Sequence, residues 1–162
     1  MDRLWSPWRY KYVSTASPKN DCIFCAKLAQ NQDEANYILL RARHNFVLLN
    51  LYPYTSGHLM VAPYEHVASL SEASREVREE MMELTARAEN VLRRVYMPDG
   101  VNLGMNLGEA AGAGVAGHIH MHVLPRWTGD ASFMTSVAET RVLPEDLATT
   151  YGKLAAELKK AV

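Results

Sequence analysis

The chain has 162 residues, of which 48% are hydrophobic and 22% charged, and its formal net charge is −1. This size and composition are typical of one globular domain, and we expect residues 1–162 to form a single domain. The balanced charge argues against a nucleic-acid partner or an anionic membrane surface, and no apolar run is long enough to span a membrane. Because the first residues lack the apolar core of a signal peptide, we expect a cytoplasmic location.

Residues 1–20 are aromatic, basic and rich in turn-forming residues. They are too apolar for a free tail and are predicted to form an ordered but irregular arm. A helix is expected to begin after Asp21, with this residue as its N-cap, and to carry both cysteines of the chain, Cys22 and Cys25.

Apolar segments with the two-residue period of a strand recur along the rest of the chain. In chain order they are residues 37–40, 46–50, 58–63, 101–106 and 117–126. The longest helix is expected to open at the capping-box sequence Ser69–Glu72 and to end near Tyr96, and a last helix is expected to begin at Pro144. Hairpin-type connections and grouped helices predict an α+β fold with a mainly antiparallel sheet of about five strands.

The segment Gly117–Arg126 contains three histidines that alternate with apolar residues. On a strand, His118, His120 and His122 would share one face, because successive side chains point to opposite sides. Clustered imidazoles serve as metal ligands, acid–base groups or nucleophiles. The glycine-rich loop Gly108–Gly114 precedes them and allows backbone amides to approach an anion. Together the two segments suggest a phosphate held against a nucleophilic ring nitrogen.

The order His-apolar-His-apolar-His-apolar-apolar from His118 to Leu124 resembles the signature of the histidine triad (HIT) superfamily of nucleotide hydrolases and transferases. Further similarities to this superfamily are Asn50, Gly57-His58, Pro63 and Pro125-Arg126. More specific similarities to the bacterial diadenosine tetraphosphate phosphorylase group are Trp5-x-Pro7-Trp8-Arg9, Asn50–Tyr54 and Asn106–Gly108. The resemblance spans most of the chain and implies a HIT-like fold.

The resemblance implies an enzyme that cleaves a phosphoanhydride of a dinucleoside polyphosphate through a nucleotidyl-histidine intermediate, by hydrolysis or phosphorolysis. His120 would be the nucleophile, His122 would contact the phosphate or leaving group, and His58 would line the same site. The implied nucleotide-binding residues are Asn50 for the ribose, Phe46 and Leu48 for the base, Gly112, Ala113 and Gly114 as backbone donors to phosphate, and Asn106 and His122 in the same site. Related proteins often carry Ser, Thr or Gln just before the triad, whereas residues 112–116 have no side-chain donor.

The pair Cys22 and Cys25 has the spacing of half a zinc site. Two other interpretations of this pair are two small buried residues on a helix and a redox pair. The resemblance implies a structural Zn²⁺ site in which His66 and His118 complete a Cys₂His₂ set. It also implies a homodimer.

Three other functions remain open from the residues. His118, His120 and His122 together would bind a catalytic metal, although alternate strand residues lie about 6.6–6.8 Å apart at Cα. A protein with the same pocket and poor turnover would be a non-catalytic nucleotide sensor. The third possibility is a hydrolase of nucleoside phosphoramidates.

Overall fold

The computed structural model describes residues 22–131, 135 and 143–160, so the arm expected over residues 1–20 lies outside the described residues. The N-cap predicted at Asp21 is wrong, because Cys22 holds the N-cap position and the helix begins at Ile23. The helices and strands are, in chain order, α1 (Ile23–Ala29), β1 (Ile38–Arg41), β2 (Asn45–Leu49), β3 (Leu59–Pro63), α2 (Arg75–Tyr96), β4 (Gly100–Gly104), β5 (Met121–Arg126) and α3 (Leu147–Lys160). The predicted α+β fold with five strands is confirmed. None of the helices in the described ranges is long and apolar enough to cross a membrane.

The five strands form one sheet in the order β1-β2-β3-β5-β4, and every neighbouring pair is antiparallel. The pairing of β3 with β5 joins segments that are distant in sequence, with Met60 opposite His122. Directly opposite residues of antiparallel strands point to the same face of a sheet. His122 and Met60 therefore share a face, and the residue before β3, His58, lies close to the histidine segment.

The two faces of the sheet are covered by different helices. Helices α2 and α3 cover one face, and the core there includes Val47, Leu49, Leu59, Val61 and Val123 of the sheet and Met81, Leu84, Ala88, Leu154 and Leu158 of the helices. The alternate strand residues Phe46, Leu48, Met60 and Ala62 face the other way and pack with Phe24 of α1. The face that carries His122 is therefore the face covered by the short helix with the cysteines.

The long helix begins later than the capping-box sequence predicts. Its N-cap is Ser74, whose side chain accepts a hydrogen bond from the Val77 amide at 3.3 Å. Glu72 does reach back to the Ser69 amide, at 3.2 Å, but this contact closes a turn before the helix. The end at Tyr96 is as predicted, and Met97 follows in the left-handed conformation, with φ 46°.

The last helix and the last strand also begin later than predicted. Helix α3 begins at Leu147 and not at Pro144, because the Asp146 carboxylate accepts from the Thr149 amide at 2.7 Å and acts as the N-cap. Strand β5 begins at Met121, so only one histidine of the three lies within it. Pro63, at the end of β3, has no amide with which to continue the ladder, and this ends the pairing before His118 and His120.

One glycine fixes the entry into β3. Gly57 has φ +81°, and a Cβ there would lie 3.0 Å from Cε2 of Tyr96 and 3.3 Å from Cγ of Pro125. Only glycine takes this conformation at little cost and leaves room for the neighbouring rings. The tight turn delivers His58 to the start of the strand, where it is 1% exposed.

Candidate functional site

The four side chains that the resemblance assigned to zinc, Cys22, Cys25, His66 and His118, come together at the start of α1. Their two sulfur atoms and two ring nitrogens all lie within 4.8 Å of one another. Cys22 Sγ is 3.3 Å from His118 Nδ1, and Cys25 Sγ is 3.5 Å from His66 Nδ1 and 3.7 Å from His118 Nδ1. Tetrahedral bonds of about 2.3 Å to sulfur and about 2.0 Å to nitrogen would separate these atoms by about 3.5 Å. The donor set and its spacing therefore fit Zn²⁺.

His118 is oriented for this role by a backbone carbonyl. Its Nε2 donates to the carbonyl oxygen of Pro63 at 2.9 Å, so the lone pair of the neutral ring lies on Nδ1, the atom that faces the two sulfurs. Burial lowers the pKa of His118, although the bond to Pro63 acts in the opposite direction. The imidazole is therefore held neutral, as a metal ligand must be.

His120 is buried, 5% exposed, and its Nδ1 donates to the carbonyl oxygen of His118 at 2.9 Å. This hydrogen bond fixes the tautomer, because the proton on Nδ1 leaves the lone pair on Nε2. Burial lowers the pKa of His120, so the ring is neutral near neutral pH. A neutral imidazole with an unprotonated Nε2 is equipped to act as a nucleophile.

A chain of hydrogen bonds fixes the protons of His58 and His122. The Tyr54 amide donates to Nδ1 of His58 at 3.2 Å, so the His58 proton lies on Nε2. That Nε2 lies 2.8 Å from Nδ1 of His122 and donates to it, which leaves the His122 proton on Nε2. Burial, together with the neighbouring His120, lowers the pKa of His122 to about 4. The pair is therefore neutral, and His122 presents one N–H as a donor.

Two aromatic rings that the sequence analysis left without a role border the histidines. The Phe24 ring lies 5.0 Å from that of His120 and 5.1 Å from that of His118, and the Tyr54 ring lies 4.9 Å from that of His58. The sequence did not signal the direction of the Phe24 side chain, because Ile23 also lies between the two cysteines and is 46% exposed. Tyr54 belongs to the segment Asn50–Tyr54, whose resemblance to the phosphorylase group was the available signal.

The residues expected to bind the nucleoside lie in two places. The Asn50 Nδ2 atom is 3.3 Å from Nδ1 of His58, and its Oδ1 accepts from the Tyr52 amide at 2.9 Å, so this residue borders the histidine pair. Phe46 and Leu48 are 0% and 1% exposed and lie inside the core beneath α1. Their role toward a base stays a prediction.

The residues expected near the phosphates follow β4. Asn106 is half-buried, two residues beyond Gly104, which is opposite His122 in the sheet. In the glycine-rich loop, the Gly112 amide donates to the Glu109 carbonyl at 2.9 Å. The Ala113 amide similarly donates to the Gly108 carbonyl at 3.3 Å. Two of the three predicted phosphate donors therefore make hydrogen bonds within the loop. Among hydrogen bonds between described residues, none uses the amide of Gly114, and its role toward a phosphate stays a prediction.

The geometry does not favour one metal bound by all three histidines. His118 directs Nδ1 toward the cysteines and Nε2 toward Pro63, whereas His120 directs Nδ1 toward a carbonyl and His122 directs Nδ1 toward His58. The three imidazoles therefore divide into one candidate metal ligand and two rings available for chemistry.

Comparison with known proteins extends these observations. The family model described as HIT domain matches residues 31–129. The chain is 40% identical to AP-4-A phosphorylase of Mycobacterium tuberculosis (strain H37Rv), over 97% of this chain and 84% of the relative. Among solved structures, it is similar to a Zn-bound histidine triad family protein from Mycobacterium smegmatis, with TM-score 0.71, 29% identity, and 87% and 95% of the two chains covered. A member of the HIT family from Bacillus subtilis gives TM-score 0.61, with 29% identity, and 85% and 96% covered.

Proposed function

The chain belongs to the HIT domain family, and from this premise we propose that it is an enzyme that cleaves a phosphoanhydride of a dinucleoside polyphosphate such as diadenosine tetraphosphate. The observation that carries the proposal is the neutral His120. Its Nδ1 donates a hydrogen bond to the His118 carbonyl, so the lone pair on its Nε2 is available. The M. tuberculosis relative named AP-4-A phosphorylase supports this substrate class.

In the first step, His120 Nε2 attacks the phosphorus atom next to one nucleoside. A nitrogen–phosphorus bond forms, the bond from that phosphorus to the bridging oxygen breaks, and a nucleoside triphosphate leaves. The Nδ1 proton of His120 stays hydrogen-bonded to the His118 carbonyl oxygen. This hydrogen bond stabilises the positive charge of the phosphorylated ring. The leaving phosphate is stable as an anion near neutral pH, because its second pKa is about 6. His122 therefore needs only to donate a hydrogen bond from Nε2 to the leaving oxygen, without giving up its proton.

In the second step, an acceptor attacks the same phosphorus and the nitrogen–phosphorus bond breaks, which returns the electron pair to His120 Nε2. Water as the acceptor gives a nucleoside monophosphate and releases a proton to solvent, and orthophosphate gives a nucleoside diphosphate. The histidine pair of His58 and His122 and the amide of Gly114 are the groups that we assign to the phosphate oxygens in both steps.

We assign Zn²⁺ to the cluster of Cys22, Cys25, His66 and His118, in a structural role. When bound, the ion supplies a fourfold cross-link and no reactive position, because all four ligands come from the protein. The cluster joins α1 to the segment before β5, and the Zn-bound relative from M. smegmatis supports the identity of the metal. Metal analysis of protein purified without chelator should give about one zinc ion per chain, and a value far below one would contradict the assignment.

Product analysis tests the proposed activity. Incubation with diadenosine tetraphosphate should yield ATP and AMP if water is the acceptor, and ATP and ADP only in added orthophosphate if the enzyme is a phosphorylase. Replacing the nucleophile, His120→Ala, should reduce turnover at least about a thousandfold. The matched control is His44→Ala, which removes a half-buried imidazole in the hairpin turn away from this site. Full turnover by His120→Ala would refute the mechanism, and tight nucleotide binding without products would favour the sensor.

The same family premise leads us to propose a homodimer. Among the described strands, β4 is at one edge of the sheet, and its Leu103 is 47% exposed. An edge strand with unpaired backbone groups and an apolar side chain is suited to pairing with a second copy. Light scattering of the purified protein should give twice the mass of the chain, and a monomer would contradict this proposal.

A further inference from the structure

A single turn of α1 carries two thiols and one buried aromatic ring. Cys22 is the N-cap of the helix, Cys25 lies within its first turn, and both sulfurs face Nδ1 of His118. Between them, Phe24 is 1% exposed, whereas its neighbour Ile23 is 46% exposed. The helix therefore turns its sulfurs and the Phe24 ring toward the protein and Ile23 toward solvent.

The Phe24 ring contacts the metal set and the nucleophile at the same time. Its centroid is 5.1 Å from the ring of His118 and 5.0 Å from that of His120, with interplanar angles of 58° and 48°. Rings of this separation and tilt attract each other through their edges and faces. One side chain is thus shared by two groups of residues that have separate chemical roles.

The tilt of the His120 ring depends on its neighbours. The hydrogen bond from Nδ1 reaches the carbonyl of His118, and it determines which nitrogen carries the proton. The ring neighbours that of Phe24, at 5.0 Å, and that of His122, at 4.8 Å and an interplanar angle of 76°. An aromatic contact of this kind biases the choice between two ring orientations by roughly threefold to tenfold. Attack on phosphorus requires the reacting atoms to be aligned, so a change in tilt lowers the rate.

We propose that Phe24 is a positioning residue that transmits the geometry of the cluster of Cys22, Cys25, His66 and His118 to the nucleophile His120. The contacts of Cys22 and Cys25 with His118 fix the position of α1. Helix α1 in turn keeps the Phe24 ring in contact with the ring of His120. This inference deepens the proposed function and rests on it, because it concerns the alignment of the proposed nucleophile.

The test uses three variants of the zinc-loaded protein. Phe24→Leu removes the ring and keeps an apolar side chain in the core. Ile38→Ala, in the same core cluster, controls for a general loss of stability, and Ile23→Ala controls for a change on the helix surface. Each variant is checked for one zinc ion per chain and for its melting temperature before kinetics with diadenosine tetraphosphate.

We expect kcat of Phe24→Leu to fall by about threefold to tenfold while KM changes less than about twofold, with kcat of both controls near the wild-type value. A fall in kcat of the same size in Ile38→Ala would overturn the proposal, because loss of core stability would then be sufficient. A rise in KM alone in Phe24→Leu would also overturn it, because the ring would then contact the substrate instead of aligning His120.

A second measurement separates this inference from the proposed function. Long-range nitrogen–proton NMR of the imidazoles reports the ring state of His120 in the absence of any substrate. We expect removal of the metal by chelator to move the His120 signals of the wild type and to move those of Phe24→Leu less, because the aromatic contact is gone and only the hydrogen bond to the His118 carbonyl still couples His120 to the cluster. Equal shifts in both proteins would overturn the role of Phe24. A wild type without turnover would refute the proposed activity and leave this NMR test standing.

Discussion

Replacement of His122 by asparagine should remove a large part of the acid sensitivity of the protein. His122 is 8% exposed, and burial lowers its pKa from 6.5 to about 4. A group whose pKa is lowered on folding binds fewer protons in the folded state than in the unfolded state. Its stabilising contribution is therefore complete above its unfolded pKa and is lost as the pH falls from 6.5 toward 4.

The magnitude follows from the two pKa values of His122. They differ by about 2.5 pH units, and each unit is worth about 1.4 kcal/mol of differential stability. The full effect is about 3 kcal/mol, of which about 2 kcal/mol is lost between about pH 7 and about pH 4.5. In His122→Asn this loss is absent, while the amide oxygen can still accept the hydrogen bond from Nε2 of His58.

The measurement is urea unfolding of both proteins at about pH 7 and at about pH 4.5, in chelator so that zinc release does not contribute. The other buried histidines are present in both proteins, so the difference between the two pH dependences reports His122 together with its coupling to His58 and His120. His44→Asn is the control for loss of an imidazole outside the cluster. Parallel pH dependences for the wild type and His122→Asn would refute the reasoning that burial controls this group.

Three further substitutions test how the fold supports the site, each measured by thermal or urea unfolding at neutral pH. Gly57→Ala should cost about 2 kcal/mol or more, because of its positive φ and the approach of Tyr96 at 3.0 Å, and an unchanged stability would contradict the described turn. Glu80→Gln should lower the free energy of unfolding by about 2 kcal/mol, because the carboxylate accepts hydrogen bonds from the three backbone amides of residues 43–45. An unchanged free energy of unfolding would show that these hydrogen bonds contribute little. Ser74→Ala should cost about 1 kcal/mol by loss of the N-cap, and no loss would place the start of α2 elsewhere.

The sheet was predictable from the sequence because each strand is an apolar segment with a two-residue period. The predicted strand at residues 58–63 and the observed β3, Leu59–Pro63, differ by one residue. The start of α2 was not predictable, because Ser69 and Ser74 both offer local capping signals. Burial of Ala73, 2% exposed, is a tertiary contact that fixes the segment before Ser74, and a local pattern does not contain it.

The site divides in the same manner. The spacing of Cys22 and Cys25 predicted half of a metal site, and His66 entered only through resemblance, because its approach depends on the path of the loop after β3. The contact of Phe24 with His120 joins residues 96 positions apart, and no periodicity encodes it. Likewise, the proton positions of His58 and His122 depend on the backbone amide of Tyr54, which no side-chain motif reveals.

Pro63 imposes a choice between two uses of the same chain segment. Without an amide it cannot extend the ladder of β3, and its carbonyl is then available to the His118 ring at 2.9 Å. If the pairing of β3 with β5 continued by one more residue pair, the Pro63 carbonyl would accept a hydrogen bond from the neighbouring strand. The His118 imidazole would then lose the hydrogen bond that orients it. The orientation of His118 as a metal ligand therefore limits the length of β3. A longer, more regular sheet would disrupt the cluster of Cys22, Cys25, His66 and His118.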